Sequence, residues 1–348
     1  MDVVIAGAGV IGMTLARELD ERGFAVEVLE AGEPGREATW AAAGMLGAYQ
    51  TRNAALRPLA VASARLYPSW VERLEAETGL RVGYRPSGTL VLGAEAEPLL
   101  EGWKQVAQSE VAVLEPGLRV GAGMTVWRVA GDHSVDNRAL GVALAASLRQ
   151  RGVVVRQREP VQAIEATGGG LEAVTGKGRY RAEVVINAAG AWAGAIKAPV
   201  EAPVRPRKGQ MLCVRTRTPP RHVIEGPGVY LVPREDGRVL VGATLEDVGF
   251  DRTLTEDRLA ELRQRAIEIW PALEAAPVES RWCGLRPGSS DDMPIIGPTR
   301  CPGYWLATGH YRDGILLAPL TAKIVGSALA KGWLTEALDL RAVLPERF

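Results

Sequence analysis

The chain has 348 residues, about twice the usual domain size, so it calls for one large core with an excursion or for two packed lobes. Hydrophobic residues at 47% and charged residues at 24% argue against long disordered segments, and 41 Lys plus Arg against 41 Asp plus Glu leave no net field to draw in nucleic acid or an acidic membrane. Three scattered cysteines, Cys213, Cys283 and Cys301, exclude a disulfide framework and a Cys/His metal cluster, so no metal is expected and a reducing cytoplasm fits.

Asp2 to Ala6 reads as a buried strand, Val10 to Arg22 as a helix stopped by Gly23, and Ala25 to Leu29 as a second strand. This βαβ unit calls for a parallel sheet with a right-handed crossover. The chain is expected to start inside its first strand, without room for a cleaved leader, and no apolar run reaches membrane-spanning length. Ala38 to Met45 is a run of small residues, too poor in large side chains to build a core face and suited to close packing against something flat.

From about Tyr84 the pattern changes to short β-like runs, Gly88 to Gly93 and Met124 to Arg128, with a helical Glu95 to Gln108 between them. Asn137 to Gln150 reads as a helix, Val153 to Arg156 and Val161 to Ala166 as strands, and Leu171 to Val174 pairs across the Gly168–Gly170 turn. Ala182 to Ile186 is a further buried strand ending in Asn187-Ala188-Ala189-Gly190. Lys208 to Thr216, Val229 to Pro233 and Arg238 to Ala243 read as antiparallel sheet, and Leu254 to Trp270 as an amphipathic helix closed by Pro271. Arg281 to Arg286, Pro294 to Gly297 and Tyr304 to Thr308 precede a long helix from about Gly314 to Lys331. No internal repeat or low-complexity linker interrupts the chain.

The strongest chemical signal is Gly7-Ala8-Gly9-Val10-Ile11-Gly12 between strand and helix, with Glu30 at the end of the second strand. Gly7 permits the tight turn, Gly9 lets backbone N–H groups reach a pyrophosphate, and Gly12 lets the helix pack on the strand. Glu30, followed by Ala31, would accept hydrogen bonds from ribose hydroxyls. An acid there suits NAD or FAD alike. A second signal is Gly309 to Leu316, a Gly-flanked turn feeding the long helix, which presents free N–H groups and a positive dipole end, or else is a plain helix start capped by Asp313.

Three further segments, Ala42 to Leu46, Tyr230 to Arg234 and Gly284 to Gly288, join Gly309 to Leu316 in carrying a resemblance. With them the chain resembles the flavin-dependent D-amino-acid oxidase superfamily, and within it the bacterial glycine oxidases of thiamine-thiazole biosynthesis. The resemblance spans most of the chain. It implies an α/β, two-lobe flavoprotein: a Rossmann-like FAD-binding lobe (1–83, 146–203 and 287–348) and a substrate lobe on a mixed, largely antiparallel sheet (84–145 and 204–286). It implies that Ala38, Thr39, Ala43, Gly44 and Met45 lie along the flavin, that Val161 meets the adenine, and that Gly190 closes a second strand end near the cofactor. Gly309, His310, Tyr311, Arg312, Asp313, Gly314, Ile315 and Leu316 then border the flavin.

The same resemblance assigns Arg286 to a substrate carboxylate, Tyr230 beside it, and Arg312 to flavin and substrate; the planar guanidinium suits a carboxylate because two parallel charge-assisted bonds fix position and orientation. His310 is expected to shape the flavin site rather than act as a base. Cys283 lies near the position where sarcosine oxidases attach their flavin, yet noncovalent FAD is expected. The implied reaction oxidises glycine, sarcosine or D-alanine to the imine and then the oxo acid, with O2 reduced to H2O2, and supplies glycine imine for thiazole synthesis. Rival readings are a D-amino-acid dehydrogenase feeding a quinone or carrier, a noncatalytic flavin-binding subunit, and an NAD-dependent Rossmann dehydrogenase. No nucleic-acid or membrane partner is expected, and the residues leave open whether the chain forms a homo-oligomer.

Overall fold

The computed structural model describes residues 1–51, 53–94, 102–331 and 338–348. The first three elements follow the hydrophobic pattern: strand Val3–Ala6, helix α1 (Val10–Glu21) and strand Val26–Leu29, with the two strands parallel. They sit in a six-stranded sheet that runs Ile295–Pro298, Tyr304–Thr308, Val184–Asn187, Val3–Ala6, Val26–Leu29, Val154–Arg156. All neighbours are parallel except the first pair, which is antiparallel. Buried on both faces, its central strands are continuous apolar runs rather than alternating ones.

Helices flank both sheets. The short α2 (Ala38–Ala41) begins the small-residue run; α5 (Asn137–Gln150) and α7 (Gly314–Lys331) pack with α1, and α3 (Arg57–Thr78) packs on α5 and α7; α4 (Gln108–Leu114) and α6 (Glu256–Ile269) lie in the other lobe. A three-stranded antiparallel sheet, Val161–Thr167, Gly170–Thr175 and Arg179–Ala182, shares an apolar cluster with the opposite face of the six-stranded sheet through Ile164, Leu171, Val4 and Leu29.

The second lobe is an eight-stranded sheet: Val278–Gly288, Arg205–Arg215, Arg238–Gly242, Val229–Pro233, Val223–Gly226, Thr89–Ala94, Met124–Val129, Trp103–Val106. Its pairs are antiparallel save Val223–Gly226 with Thr89–Ala94. The α/β, two-lobe architecture expected from the sequence is therefore the observed one.

Two expectations need correction, and one element was not expected. The lobe boundary at 145/146 falls inside α5, whose contacts with α1 and α3 put the whole helix in the first lobe. Of the helix at 95–108, residues 95–101 lie outside the described residues, and Trp103–Val106 is a strand, completing the sheet edge beside Met124–Val129. Finally, α3 has no counterpart among the elements expected from the sequence. It carries Pro58 in its first turn, where the missing N–H is no loss, and Pro68 within.

That unforeseen helix repairs another proline. Pro319 inside α7 cannot donate to the carbonyl of Ile315, and the hydroxyl of Tyr67 from α3 donates to it instead, while Ser63 Oγ donates to Leu316 O at 2.6 Å. The start of α7 is thus held from behind at the point where it meets the cleft between the lobes.

Candidate active site

One cavity of about 1400 Å³ runs along the interface of the two lobes, lined by residues 6–11, 29–33 and 35–39 from the first and by Tyr230 and Arg286 from the second, with Arg312 beside them. In the first lobe the glycines act as their positions require. Gly7 sits at φ +105°, and a β-carbon on it would meet Ala188 O at 2.6 Å; one on Gly12 would meet Gly7 O at 1.9 Å. Helix α1 therefore abuts the strand with no room for any other residue, and its N-terminus faces the cavity. Thr39 Oγ1 accepts the Val10 N–H at 2.8 Å, which leaves the N–H of Ile11, also on the cavity wall, for an anion placed there.

Glu30 lies on the same wall. Its carboxylate accepts the N–H of Ala8 at 2.6 Å and of Gly32 at 2.7 Å, which fixes one oxygen on the glycine turn and the other on its own strand end. Burial raises its pKa above the usual carboxylate range, and the backbone bonds oppose that rise. Residues 158–161 lie alongside, with the Glu159 N–H on Glu30 O at 2.7 Å and the Arg158 N–H on Gly32 O at 3.1 Å.

The small-residue run also lines the cavity and is backed by a polar clamp. Asn137 Nδ2 donates to Thr39 O at 2.8 Å and Trp40 O at 3.0 Å; the Arg234 guanidinium donates to Ala43 O at 2.8 Å and Asn137 Oδ1 at 3.0 Å. Burial pushes Arg234 down to about 10, against the attraction of Asp136. Gly44, at φ +72°, lies so close to Val135 that a β-carbon would come within 2.0 Å of its carbonyl oxygen. The run is thus a thin, rigid wall with small side chains toward the cavity.

Around Arg286 and Arg312 two separate motifs are brought together by backbone bonds. The Tyr311 N–H donates to Pro287 O at 2.8 Å, and His310 bridges Gly288, so the turn before α7 is tied to the end of the strand carrying Arg286. Burial raises the Tyr230 hydroxyl, and the nearby Arg286 and Arg312 pull it back. Gly242 makes room for the Tyr230 ring, since a β-carbon there would lie 2.4 Å from its hydroxyl oxygen. Arg286 Nη1 is 3.3 Å from Thr244 O and 3.4 Å from Lys208 O. Arg312 is exposed at the mouth with its guanidinium 5.1 Å from the Tyr311 ring centroid.

His310 is fully enclosed, hydrogen-bonded through Nε2 to Thr321 Oγ1 at 3.0 Å, and burial pushes it down to about 3. Burial thus favours the neutral imidazole, in keeping with a wall residue. Asp313 is pushed up to about 6 by burial, with Arg312 opposing.

Among the residues singled out in the sequence, Gly7, Gly9, Val10, Ile11, Glu30, Ala31, Ala38, Thr39, Ala43, Gly44, Met45, Val161 and Gly190 line the cavity, as do Tyr230, Arg286, His310, Tyr311, Arg312, Asp313, Gly314 and Ile315. Gly12, Gly309 and Leu316 do not. Gly12 acts through helix–strand contact, Gly309 at φ +71° supplies the turn, and Leu316 is a buried residue of the first turn of α7. Reasoning from sequence missed Gly209, Thr244 and Trp192 on the wall, and Asn137 and Arg234 behind it. Arg234 ends the Tyr230–Arg234 motif and could have been found there; Asn137 carried no signal. Among the described residues no group of His, Cys, Asp and Glu could hold a metal ion, and no helix is long and apolar enough to cross a membrane.

A family described as FAD dependent oxidoreductase matches residues 2–328. The chain is 37% identical to the glycine oxidase of Pseudomonas aeruginosa over 94% of each chain. It is 38% identical to the bifunctional protein ThiO/ThiG of Trichormus variabilis over 95% of this chain and 53% of that one, so it spans about half the length of such bifunctional relatives. The crystal structure of glycine oxidase from Geobacillus kaustophilus superposes with a TM-score of 0.91 at 32% identity, covering 98% of this chain and 96% of that one.

Proposed function

The chain belongs to the FAD-dependent oxidoreductase family, and from that premise we propose that it oxidises glycine and other small amines, sarcosine and D-alanine among them, with O2 as electron acceptor. The residues present fit the cofactor: a glycine turn at a helix N-terminus for the pyrophosphate, the Glu30 carboxylate for ribose hydroxyls, and a wall without bulk for a flat ring. FAD, when bound, supplies the acceptor for the hydride leaving the substrate's α-carbon.

The observation that carries the substrate reading is the convergence of Tyr230, Arg286 and Arg312 on the wall of the cavity. A carboxylate there meets a planar guanidinium and a phenol hydroxyl whose ionisation is suppressed by burial, so the phenol donates a hydrogen bond. Arg286 and Tyr230 fix the carboxylate, which fixes where the α-carbon sits; the volume beyond it selects the substituent. One methylene more or less discriminates by about 10- to 200-fold, so several small amines react at graded rates. His310, neutral and enclosed, shapes the wall, and the amine enters unprotonated. We read FAD as noncovalently held, a reading supported by the Cys283 thiol, which contacts Arg252 O in a cleft separate from the main cavity. The product imine hydrolyses to the oxo acid or passes to thiazole formation, a role supported by the ThiO/ThiG relatives.

Mixing the oxygen-free protein with glycine, sarcosine, D-alanine or L-alanine and then admitting air tests this. Bleaching of the flavin bands by the first three and not by L-alanine, then recolouring with peroxide release, is expected. Recolouring that needs an added quinone would make the protein a dehydrogenase, and no bleaching by any amine would remove the substrate reading.

A further inference from the structure

Lys208 lies within strand Arg205–Arg215 and is 1% exposed, an unusual place for an ammonium group. Side chains alternate along the strand: Gly209 and Met211 line the cavity, while Lys208 and Gln210 project from the opposite face. There Lys208 Nζ lies 3.3 Å from Asp251 Oδ2 and 3.6 Å from Glu246 Oε2. Gln210 Nε2 donates to the other Glu246 oxygen at 2.9 Å, and Gln210 Oε1 accepts the Thr255 N–H at 2.8 Å. Burial would raise the Glu246 carboxyl, but Thr244, Gln210 and Lys208 together hold it below its ordinary range.

These contacts pin both ends of the loop 244–251. On the cavity side, Thr244, Leu245 and Glu246 form wall, and Thr244 O lies 3.3 Å from Arg286 Nη1. Lys208 and Glu246 also exchange backbone N–H···O bonds of 3.0 Å each. The loop's own apolar side chains, Leu245, Val248 and Phe250, are exposed, so burial does little to hold it. A buried ammonium is costly unless paired, and an apolar residue would fill the volume without that cost.

We propose that Lys208 is a positioning residue for substrate: by tying Glu246 and Asp251 from behind the sheet, it keeps the Thr244 carbonyl on Arg286 and the loop on the cavity wall. This rests on Arg286 being the carboxylate anchor. Lys208 touches neither substrate nor cofactor and acts through the loop. Removing the ammonium loosens the loop and misorients Arg286, which weakens carboxylate binding while the cofactor end, on the other lobe, is untouched.

The test uses the flavin-loaded enzyme, with glycine kinetics and with binding of acetate as an unreactive carboxylate, read from the flavin spectrum. Lys208→Met raises KM and the acetate Kd by about 10-fold, short of the ~100-fold that a 1 Å misplacement can cost, and leaves kcat within about 2-fold and FAD bound. Asp251→Asn, at a half-exposed residue, moves the same two constants in the same direction by about 3-fold and carries the test if Lys208→Met does not fold. In an Arg286→Ala background, Lys208→Met adds nothing further. Unchanged constants in folded Lys208→Met, or an equal increment without Arg286, overturns the proposal. Unchanged acetate affinity in Arg286→Ala alone would instead overturn the anchor itself.

Discussion

The Arg286 guanidinium lies flat against Gly209, so closely that a β-carbon on Gly209 would come within 2.2 Å of Nη1 and 2.5 Å of Cζ. The atoms in the way belong to the end of a flexible side chain and not to the backbone. Gly209→Ala therefore displaces Arg286 and leaves the strand intact. We expect KM for glycine to rise roughly 10-fold with FAD retained. Stability should hold or gain about 0.5 kcal/mol, because alanine has fewer unfolded conformations to lose. An unchanged KM would show that the position of Arg286 is not what the substrate reads.

Glu30 has both carboxylate oxygens on backbone N–H groups, Ala8 and Gly32, and burial holds its pKa above the ordinary carboxylate value. Glu30→Gln replaces one oxygen by an NH2 that must face a donor and offers the ribose one acceptor fewer. Hydrogen bonds to charged groups are worth about 1.5 to 3 kcal/mol, so the FAD Kd should rise about 10- to 100-fold. The wild-type Kd should also rise as pH falls through the raised pKa of the apoprotein, since protonation removes the charged acceptor. A Kd for Glu30→Gln equal to wild type would move the ribose contact elsewhere.

The sequence made the N-terminal half of the cofactor cradle legible because its signals are local: strand, turn, helix and strand lie within 30 residues, and each glycine answers a steric demand of its neighbours. Motifs also pointed to Tyr230, Arg286 and Arg312, and all three line the same cavity. The clamp behind the small-residue run was not legible, because Asn137 and Arg234 meet across 97 residues and Asn137 carries no pattern that would pair it with the Arg234 at the end of the Tyr230 motif. Helix α3 stayed hidden for a different reason. It carries two prolines, a residue type that usually breaks a helix: Pro58 sits harmlessly in the first turn, and Pro68 lies within. Trp103–Val106 illustrates the ambiguity of short runs, which the sheet edge resolves and periodicity does not.

Cys283 is half-buried with Sγ on Arg252 O at 3.1 Å, in a cleft with Trp40, Trp282 and Leu254, and it does not line the main cavity. Burial raises its thiol pKa, which lowers the thiolate fraction needed for attack. Acid precipitation should therefore release all flavin into the supernatant, and Cys283→Ser should bind FAD as wild type does. Flavin that stays with the wild-type pellet, and leaves it in Cys283→Ser, would establish a covalent bond.

Asp132 offers a pH signature of the second lobe. It is fully buried on the turn after Met124–Val129, and its carboxylate accepts the Tyr49 N–H at 2.9 Å and Gln50 Nε2 at 2.7 Å, beside the cavity wall that Gln50 helps to form. Burial pushes it up to about 7 from 3.8; the bonds from Tyr49 and Gln50 oppose this, and Glu225 adds to it. Between those values the folded protein keeps a proton that the unfolded chain has released, so stability falls as pH rises from about 4 to about 7 and is constant in this respect above. At 1.36 kcal/mol per unit over about 3 units the loss is about 4 kcal/mol. Asp132→Asn has no proton to lose and should not show that slope. Denaturant unfolding of both proteins from pH 4 to pH 8 gives the answer: the wild-type curve should fall relative to the variant across the window and run parallel to it above pH 7. Curves parallel throughout would mean that Asp132 does not titrate there, and that its hydrogen bonds from Tyr49 and Gln50 outweigh its burial.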